Sequence, residues 1–87
     1  MQLPTGQVTF LLSDVEGSTR LWEEAPEAMR EALARHDALI QGGVARHGGV
    51  VLKHRGEGDS TFAVFHDAAD ALAAACAVQR ALVHEPW

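Results

Sequence analysis

Two glycine-containing breaks divide the chain into segments with different structural preferences. His47-Gly48-Gly49 follows a long helical pattern, and glycine readily takes the left-handed conformation with which many helices end. Gly56-Glu57-Gly58 lies between two short runs of strand-forming residues, Val50 to Arg55 and Ser60 to Phe65. Two glycines in so short a connection favour a tight turn. The spacing therefore predicts a helix followed by an antiparallel β-hairpin.

The first part of the chain predicts one further strand and a short helical turn. Val8 to Ser13 is continuously apolar or β-favouring and follows a proline and a glycine, which indicates a central strand buried on both faces. A helical turn through residues 21–23 should follow. Either Ser18 or Thr19 could cap it, because both hydroxyl side chains can accept a hydrogen bond from a free backbone amide.

Two longer helices complete the predicted elements. Pro26 suits the first turn of a helix that extends to about His47, since apolar residues recur there at spacings of three, four and seven. Asp67 is expected to cap a last helix that ends before Pro86. The predicted buried stripe of that helix consists of apolar or small residues: Leu72, Ala75, Cys76, Val78, Leu82 and Val83.

The order strand, helix, helix, strand, strand, helix predicts an α+β fold, with helices packed on one face of a small sheet. A ferredoxin-like, split β-α-β arrangement would normally add another strand after the last helix, but the sequence ends at Trp87. We therefore expect a domain truncated before its later strands, or a second chain that completes the sheet.

Composition excludes several classes of partner. Twelve acidic residues against seven Lys and Arg give a net charge of −5, which repels a nucleic-acid backbone. The longest apolar run, Ala71 to Val78, is too short to span a bilayer. A single cysteine cannot form an internal disulfide and fits a reducing compartment. We expect a cytoplasmic protein that binds no nucleic acid and does not insert into a membrane.

The candidate chemistry begins where the first strand ends on Asp14. The Glu16 to Thr19 segment that follows offers backbone amides at a helix start, and Gly17 allows a phosphate to approach them closely. Asp14 could hold a divalent cation that neutralises such a phosphate. If the hairpin lies beside the first strand, Asp59 can approach Asp14, although Glu57 is a competing candidate. Two such carboxylates could hold two magnesium ions about 3.5 to 4 Å apart.

Other readings of these residues stay open. An acid before a glycine turn is often only a solvated cap or turn residue. The Gly-Ser-Thr run lacks the spacing and the lysine of a P-loop, and there is no Gly-x-Ser-x-Gly elbow. The five histidines show no paired ligand spacing, so zinc is not indicated.

The stretch from Val8 to Trp22, VTFLLSDVEGSTRLW, resembles the opening of the class III adenylate and guanylate cyclase catalytic domain. The likeness is greatest to bacterial members, whose motif reads like Phe-x-Asp-Ile/Val-Glu-Gly-Ser-Thr. The order of elements is similar over essentially the whole chain. The resemblance implies that Asp14 and Asp59 bind two Mg²⁺ or Mn²⁺ ions, with the Val15 carbonyl as a further ligand. It also implies that the amides of Glu16, Gly17, Ser18 and Thr19 surround the triphosphate of the substrate.

The reaction implied by the resemblance is attack of the ribose 3′-oxygen of ATP or GTP on the α-phosphorus, with pyrophosphate leaving. Arg55 stands where ATP-preferring members usually carry a base-reading lysine, so the choice of nucleotide stays open. In this family the transition-state residues lie in the later half of the domain and act across a head-to-tail dimer. Residues 1–87 would then form the N-terminal half of a catalytic domain. This half would be inactive alone, and the protein would form a homodimer.

Two alternatives remain beside this interpretation. The chain could be a degenerate module that binds nucleotide or metal as a sensor within a bacterial regulator. It could also be a structural dimerisation domain in which Asp14 and Asp59 are only turn residues, and in which exchanged strands or helices complete the sheet.

Overall fold

A computed structural model describes residues 3–52 and 60–87. Its elements are β1 (Thr9–Ser13), α1 (Ser18–Glu24), α2 (Pro26–Arg46), β2 (Val50–Val51), β3 (Thr61–Phe65) and α3 (Ala68–His84). The α+β class and the order β-α-α-β-β-α that the sequence predicts are confirmed. The predicted strand end at residues 53–55, the turn at 56–58 and Asp59 lie outside the described residues.

The three strands form one antiparallel sheet in the order β1-β3-β2. The predicted pairing of the hairpin is confirmed, but the central strand is β3, and β1 lies at an edge of the sheet that residues 3–52 and 60–87 form. Along β1 the side chains alternate between half-buried and exposed, with Phe10 53% and Leu12 69% exposed. The prediction of a strand buried on both faces is therefore wrong, because the described helices cover only one face of the sheet.

The core lies between the sheet and the α2–α3 pair. Its buried members come from α2, β3 and α3: Ile40, Val44, Ala63, Phe65, Ala71, Ala74 and Val78. Phe65 is completely buried and Val44 nearly so. The two helices approach closely at Gly43, where an added Cβ would lie 2.6 Å from Cγ2 of Val78. Small residues at this contact thus set the distance between the helices.

The last helix is capped as predicted but rotated from its predicted orientation. The Asp67 carboxylate accepts a hydrogen bond of 2.9 Å from the Asp70 amide. Val78 and Leu82 do belong to the core or pack against it, whereas Leu72, Cys76 and Val83 are exposed. The prediction for these three is wrong, because an alanine-rich helix is apolar on every side and the alanines pack against the sheet instead.

None of the helices that the structure describes combines the length and the apolar character needed to cross a membrane.

Candidate metal- and phosphate-binding site

Asp14 directly follows the last residue of β1, and its side chain is exposed. Its Oδ1 accepts a hydrogen bond of 3.2 Å from Oγ of Ser60, the residue that precedes β3. Ser13 and Thr61 are register partners in the antiparallel β1–β3 pair, which explains why their chain neighbours meet. The structure thus brings the end of β1 to the start of β3, as the sequence predicts.

The turn after Asp14 leads directly into α1. Gly17 is the N-cap residue, with a left-handed backbone at φ 72° and ψ 20°. The predicted caps Ser18 and Thr19 instead belong to the first turn of α1, and no side chain caps the helix. Glycine takes this position because a left-handed conformation costs it almost nothing.

The start of α1 therefore leaves its first backbone amides without a helical acceptor. The first backbone hydrogen bond of the turn runs from the Leu21 amide to the Gly17 carbonyl, with a length of 3.2 Å. Gly17 has space around it, since an added Cβ would meet no atom within 4 Å. An anion can approach this turn without meeting a side chain at residue 17.

The donor set of the β1 end suits a hard cation. Asp14 supplies a carboxylate and Val15 a backbone carbonyl, and Mg²⁺ and Mn²⁺ are bound preferentially by oxygen. Within residues 3–52 and 60–87, no three His, Cys, Asp or Glu side chains cluster into a cation site. The predicted second carboxylate, Asp59, and the predicted base-reading residue, Arg55, both lie outside the described part. The roles of all these residues stay predictions.

Sequence reasoning missed a second group of polar side chains at the same strand ends. Ser13 and Thr61 lie opposite each other in β1 and β3, and their hydroxyl oxygens are buried without a hydrogen-bond partner among the residues described. Both line a cavity of about 150 Å³ between the sheet and the helices. A signal did exist, because both are hydroxyl residues at the ends of largely apolar strands, but only the strand register shows that they meet.

A strand followed by a carboxylate and a glycine turn into a helix is the local structure that the sequence predicts here. No family model matches the chain. Individual proteins do match it. An uncharacterized protein of Mycobacterium tuberculosis is 49% identical over 77 residues, which is 88% of this chain and 27% of that protein.

Two further relatives carry a functional name. An adenylate cyclase of Podospora anserina is 39% identical over 84 residues, covering 97% of this chain and 4% of that protein. Receptor-type adenylate cyclase B of Leishmania donovani is 35% identical over 80 residues, covering 92% of this chain and 6% of that protein.

The resemblance to the nucleotide cyclases is therefore confirmed at the level of sequence relationship. The chain spans about a quarter of the mycobacterial protein and less than a tenth of the two named cyclases. It corresponds to one short segment of these much longer proteins.

Proposed function

We propose that residues 1–87 form the N-terminal half of a nucleotide cyclase catalytic domain, built on a ferredoxin-like sheet, that binds ATP or GTP together with two Mg²⁺ or Mn²⁺ ions. The observation that carries this proposal is the position of Asp14. It lies at the end of β1 and accepts a hydrogen bond from Ser60 beside β3. The turn that follows it contains Gly17, the N-cap residue of α1. Relatives named adenylate cyclase align over 92% to 97% of the chain.

Each residue of the proposed site has a separate task. The Asp14 carboxylate, the Val15 carbonyl and the Asp59 carboxylate would hold the metal ions, which when bound neutralise the triphosphate and activate the attacking oxygen. The amides of the turn from Glu16 to Thr19 would bind phosphate oxygens. Arg55 would lie at the base of the nucleotide.

The charges of the chain make metal dependence a strict requirement of this proposal. Asp14 and Glu16 are both acidic, and the whole chain carries a net charge of −5. A nucleoside triphosphate is itself highly anionic, so without a cation it would be repelled from the end of β1. Nucleotide binding should therefore appear only when a divalent cation is present.

In the proposed reaction the ribose 3′-oxygen releases its proton to water and bonds to the α-phosphorus. The bond between the α-phosphorus and its bridging oxygen breaks, and pyrophosphate leaves. Residues 1–87 contribute binding and orientation of the triphosphate. The resemblance assigns the transition-state donors to the later half of the domain, where they would act across the interface of a homodimer. Because one such donor contributes a factor of about 10² to 10³ in rate, we expect residues 1–87 alone to bind nucleotide without turning it over.

One observation favours a second candidate, a dimerisation domain that performs no chemistry. The face of the sheet opposite the helices is apolar and open at β1. Phe10 stacks on Phe62 there with ring centroids 4.9 Å apart, and Phe10 and Leu12 are more than half exposed. Such a face fits a second copy of the chain, which the cyclase proposal also requires. Metal-dependent nucleotide binding separates the two candidates.

The deciding experiment is isothermal titration of the chain with a non-hydrolysable ATP or GTP analogue, with and without Mg²⁺ or Mn²⁺. We expect binding only with the metal, and its loss in Asp14→Ala. Glu31→Ala is the matched control, because Glu31 is an exposed acid on α2 outside the proposed site. Unchanged affinity in Asp14→Ala, or equal binding without metal, would refute the proposed site.

A further inference from the structure

A cavity of about 150 Å³ lies behind the end of β1, between the inner face of the sheet and the two long helices. Asp14 belongs to its lining, whereas Gly17 does not. Most of its wall is apolar and comes from β1, β3, α2 and α3: Leu11, Leu12, Ala63, Ile40, Val44, Ala75, Val78 and Leu82. The polar residues of the lining are Ser13, Asp14, His36, Thr61 and Gln79.

Two hydroxyl groups belong to the wall of the cavity, those of Ser13 and Thr61. Thr61 is only 5% exposed. Its Oγ1 and the Oγ of Ser13 are both buried, and no described residue pairs with either. The two residues are direct register partners, so their hydroxyls belong to one small region of the wall. Buried hydroxyls in native proteins are nearly always hydrogen-bonded, so a molecule in the cavity is expected to supply the missing partner.

We propose that this cavity binds a small uncharged molecule with an apolar body about the size of a benzene ring and one hydroxyl or carbonyl group. Cavities of about 150 Å³ in other proteins accept benzene, which sets the size. The mostly apolar wall disfavours a charged ligand, and Asp14 in the lining repels an anion in particular. The polar group of the ligand pairs with Ser13 and Thr61, while its ring contacts the aliphatic wall.

Water alone fits this cavity less well. A buried water typically makes two to four hydrogen bonds, and its share of liquid volume is about 30 Å³. Several waters would fill the space, yet most of the wall offers them no partner. One molecule with an apolar body and one polar group matches a mostly apolar wall in which the hydroxyls of Ser13 and Thr61 lack a partner among the described residues.

Phenol is the probe for this proposal, and benzene is the comparison that lacks the polar group. We would titrate the chain with each and follow the backbone amide signals by two-dimensional NMR. Saturable shifts are expected for both ligands at the inner residues of β1, β3 and α3. Thr61→Val replaces the hydroxyl with a methyl group of similar shape. It should weaken phenol binding by about three- to tenfold, the usual net value of one hydrogen bond, and leave benzene binding unchanged.

A second variant tests the location. Ala75 is part of the cavity wall, so Ala75→Leu should fill the space and abolish binding of both ligands. Ala73→Leu is the matched control, since Ala73 is exposed on the same helix. The amide spectrum of each variant also shows whether it is folded. If Ala75→Leu does not fold, the contrast between phenol and benzene in Thr61→Val decides by itself.

Two results would overturn the proposal: no saturable shift with either ligand, or equal phenol affinity in the wild-type chain and Thr61→Val. The binding does not depend on nucleotide cyclase activity. Failure of the phenol titration leaves the metal-dependent titration with Asp14→Ala untouched, and the reverse also holds.

Discussion

β1 and β3 are paired strands of equal length with very different surroundings. In β3 four of the five residues are at most 5% exposed: Thr61, Ala63, Val64 and Phe65. In β1 none is fully buried, and two large apolar side chains are mostly exposed. β3 has a strand on each side and helices behind it, whereas β1 has one described neighbour. Packing within the described residues thus dictates the sequence of β3 and leaves that of β1 less constrained.

This difference explains where the candidate chemistry lies. A residue inside β3 cannot change without disturbing the core, because protein interiors are close-packed. The end of β1 carries Asp14 in the open, where a carboxylate costs little and stays accessible. The comparison therefore predicts that stability depends mainly on β3 and its helices, and that binding depends mainly on β1 and the turn after it.

The largest difference should appear between two phenylalanines. Phe65→Ala removes a fully buried ring and is expected to lower the free energy of unfolding by about 3 to 5 kcal/mol. Phe10→Ala removes a ring that is 53% exposed and stacked on Phe62, and should lower it by only about 0.5 to 1.5 kcal/mol. Urea denaturation of both variants measures the two values.

A domain of this size has little stability to lose, so the test provides for the case in which Phe65→Ala leaves no measurable folded state. Phe65→Leu then replaces it, with an expected loss below about 1.5 kcal/mol. Equal losses at residues 65 and 10 would show that β1 is as firmly packed as β3, contrary to the comparison.

A smaller effect is expected at two adjacent glycines of α2. An added Cβ at Gly43 would lie 2.6 Å from Val78 Cγ2, so Gly43→Ala should cost about 1 to 3 kcal/mol through overpacking. At Gly42 the nearest atoms are the terminal nitrogens of the Arg46 side chain at 4.0 Å. Gly42→Ala should therefore stabilise by about 0.5 to 1 kcal/mol through the higher helix propensity of alanine.

Thermal unfolding of these two variants tests whether α2 and α3 pack as closely as the distance at Gly43 indicates. Opposite signs for neighbouring positions would confirm the close α2–α3 contact. Stabilisation by both substitutions would show that the helices can separate at no cost.

Much of this organisation could be predicted from local sequence signals. The glycine breaks, the helical periodicity before His47 and the cap at Asp67 each act within a few residues, and the element order and the hairpin pairing followed from them. The orientation of α3 could not be predicted, because alanine is compatible with every side of a helix. The position of β1 at an edge depends on distant contacts.

The candidate site shows the same limit. Asp14 was found because a strand ending on an acid is visible in the sequence. The choice of Gly17 over Ser18 or Thr19 as the N-cap depends on a backbone conformation that residue type only suggests. Ser60, the hydrogen-bond donor to Asp14, could be identified only from the register of β1 against β3.

The smallest effect concerns two Arg–Glu pairs. One joins α2 to the residue after α3, behind β3, and the other lies within α1, which follows β1. Arg35 on α2 donates two hydrogen bonds to the Glu85 carboxylate after α3, one from Nε at 2.8 Å and one from Nη2 at 3.1 Å. These hydrogen bonds lower the pKa of Glu85 below its usual 4.5; burial opposes the shift, and the guanidinium charge adds to it. Arg20 and Glu24 on α1 form a single contact of 3.1 Å between highly exposed side chains.

A carboxylate with a lowered pKa in the folded state stabilises the protein above its unfolded pKa, and that contribution disappears as the pH falls through the folded value. We therefore expect Arg35→Gln to lower Tm slightly at neutral pH and to match the wild-type Tm once the pH is well below 4.5. Arg20→Gln should leave Tm unchanged at every pH, since exposed pairs of this kind contribute little. Differential scanning fluorimetry from neutral pH to about pH 3 measures both. A pH-independent effect of Arg35→Gln would mean that the aliphatic part of Arg35 acts by packing on residues 85–87. An effect of Arg20→Gln as large as that of Arg35→Gln would remove the distinction between the two ion pairs.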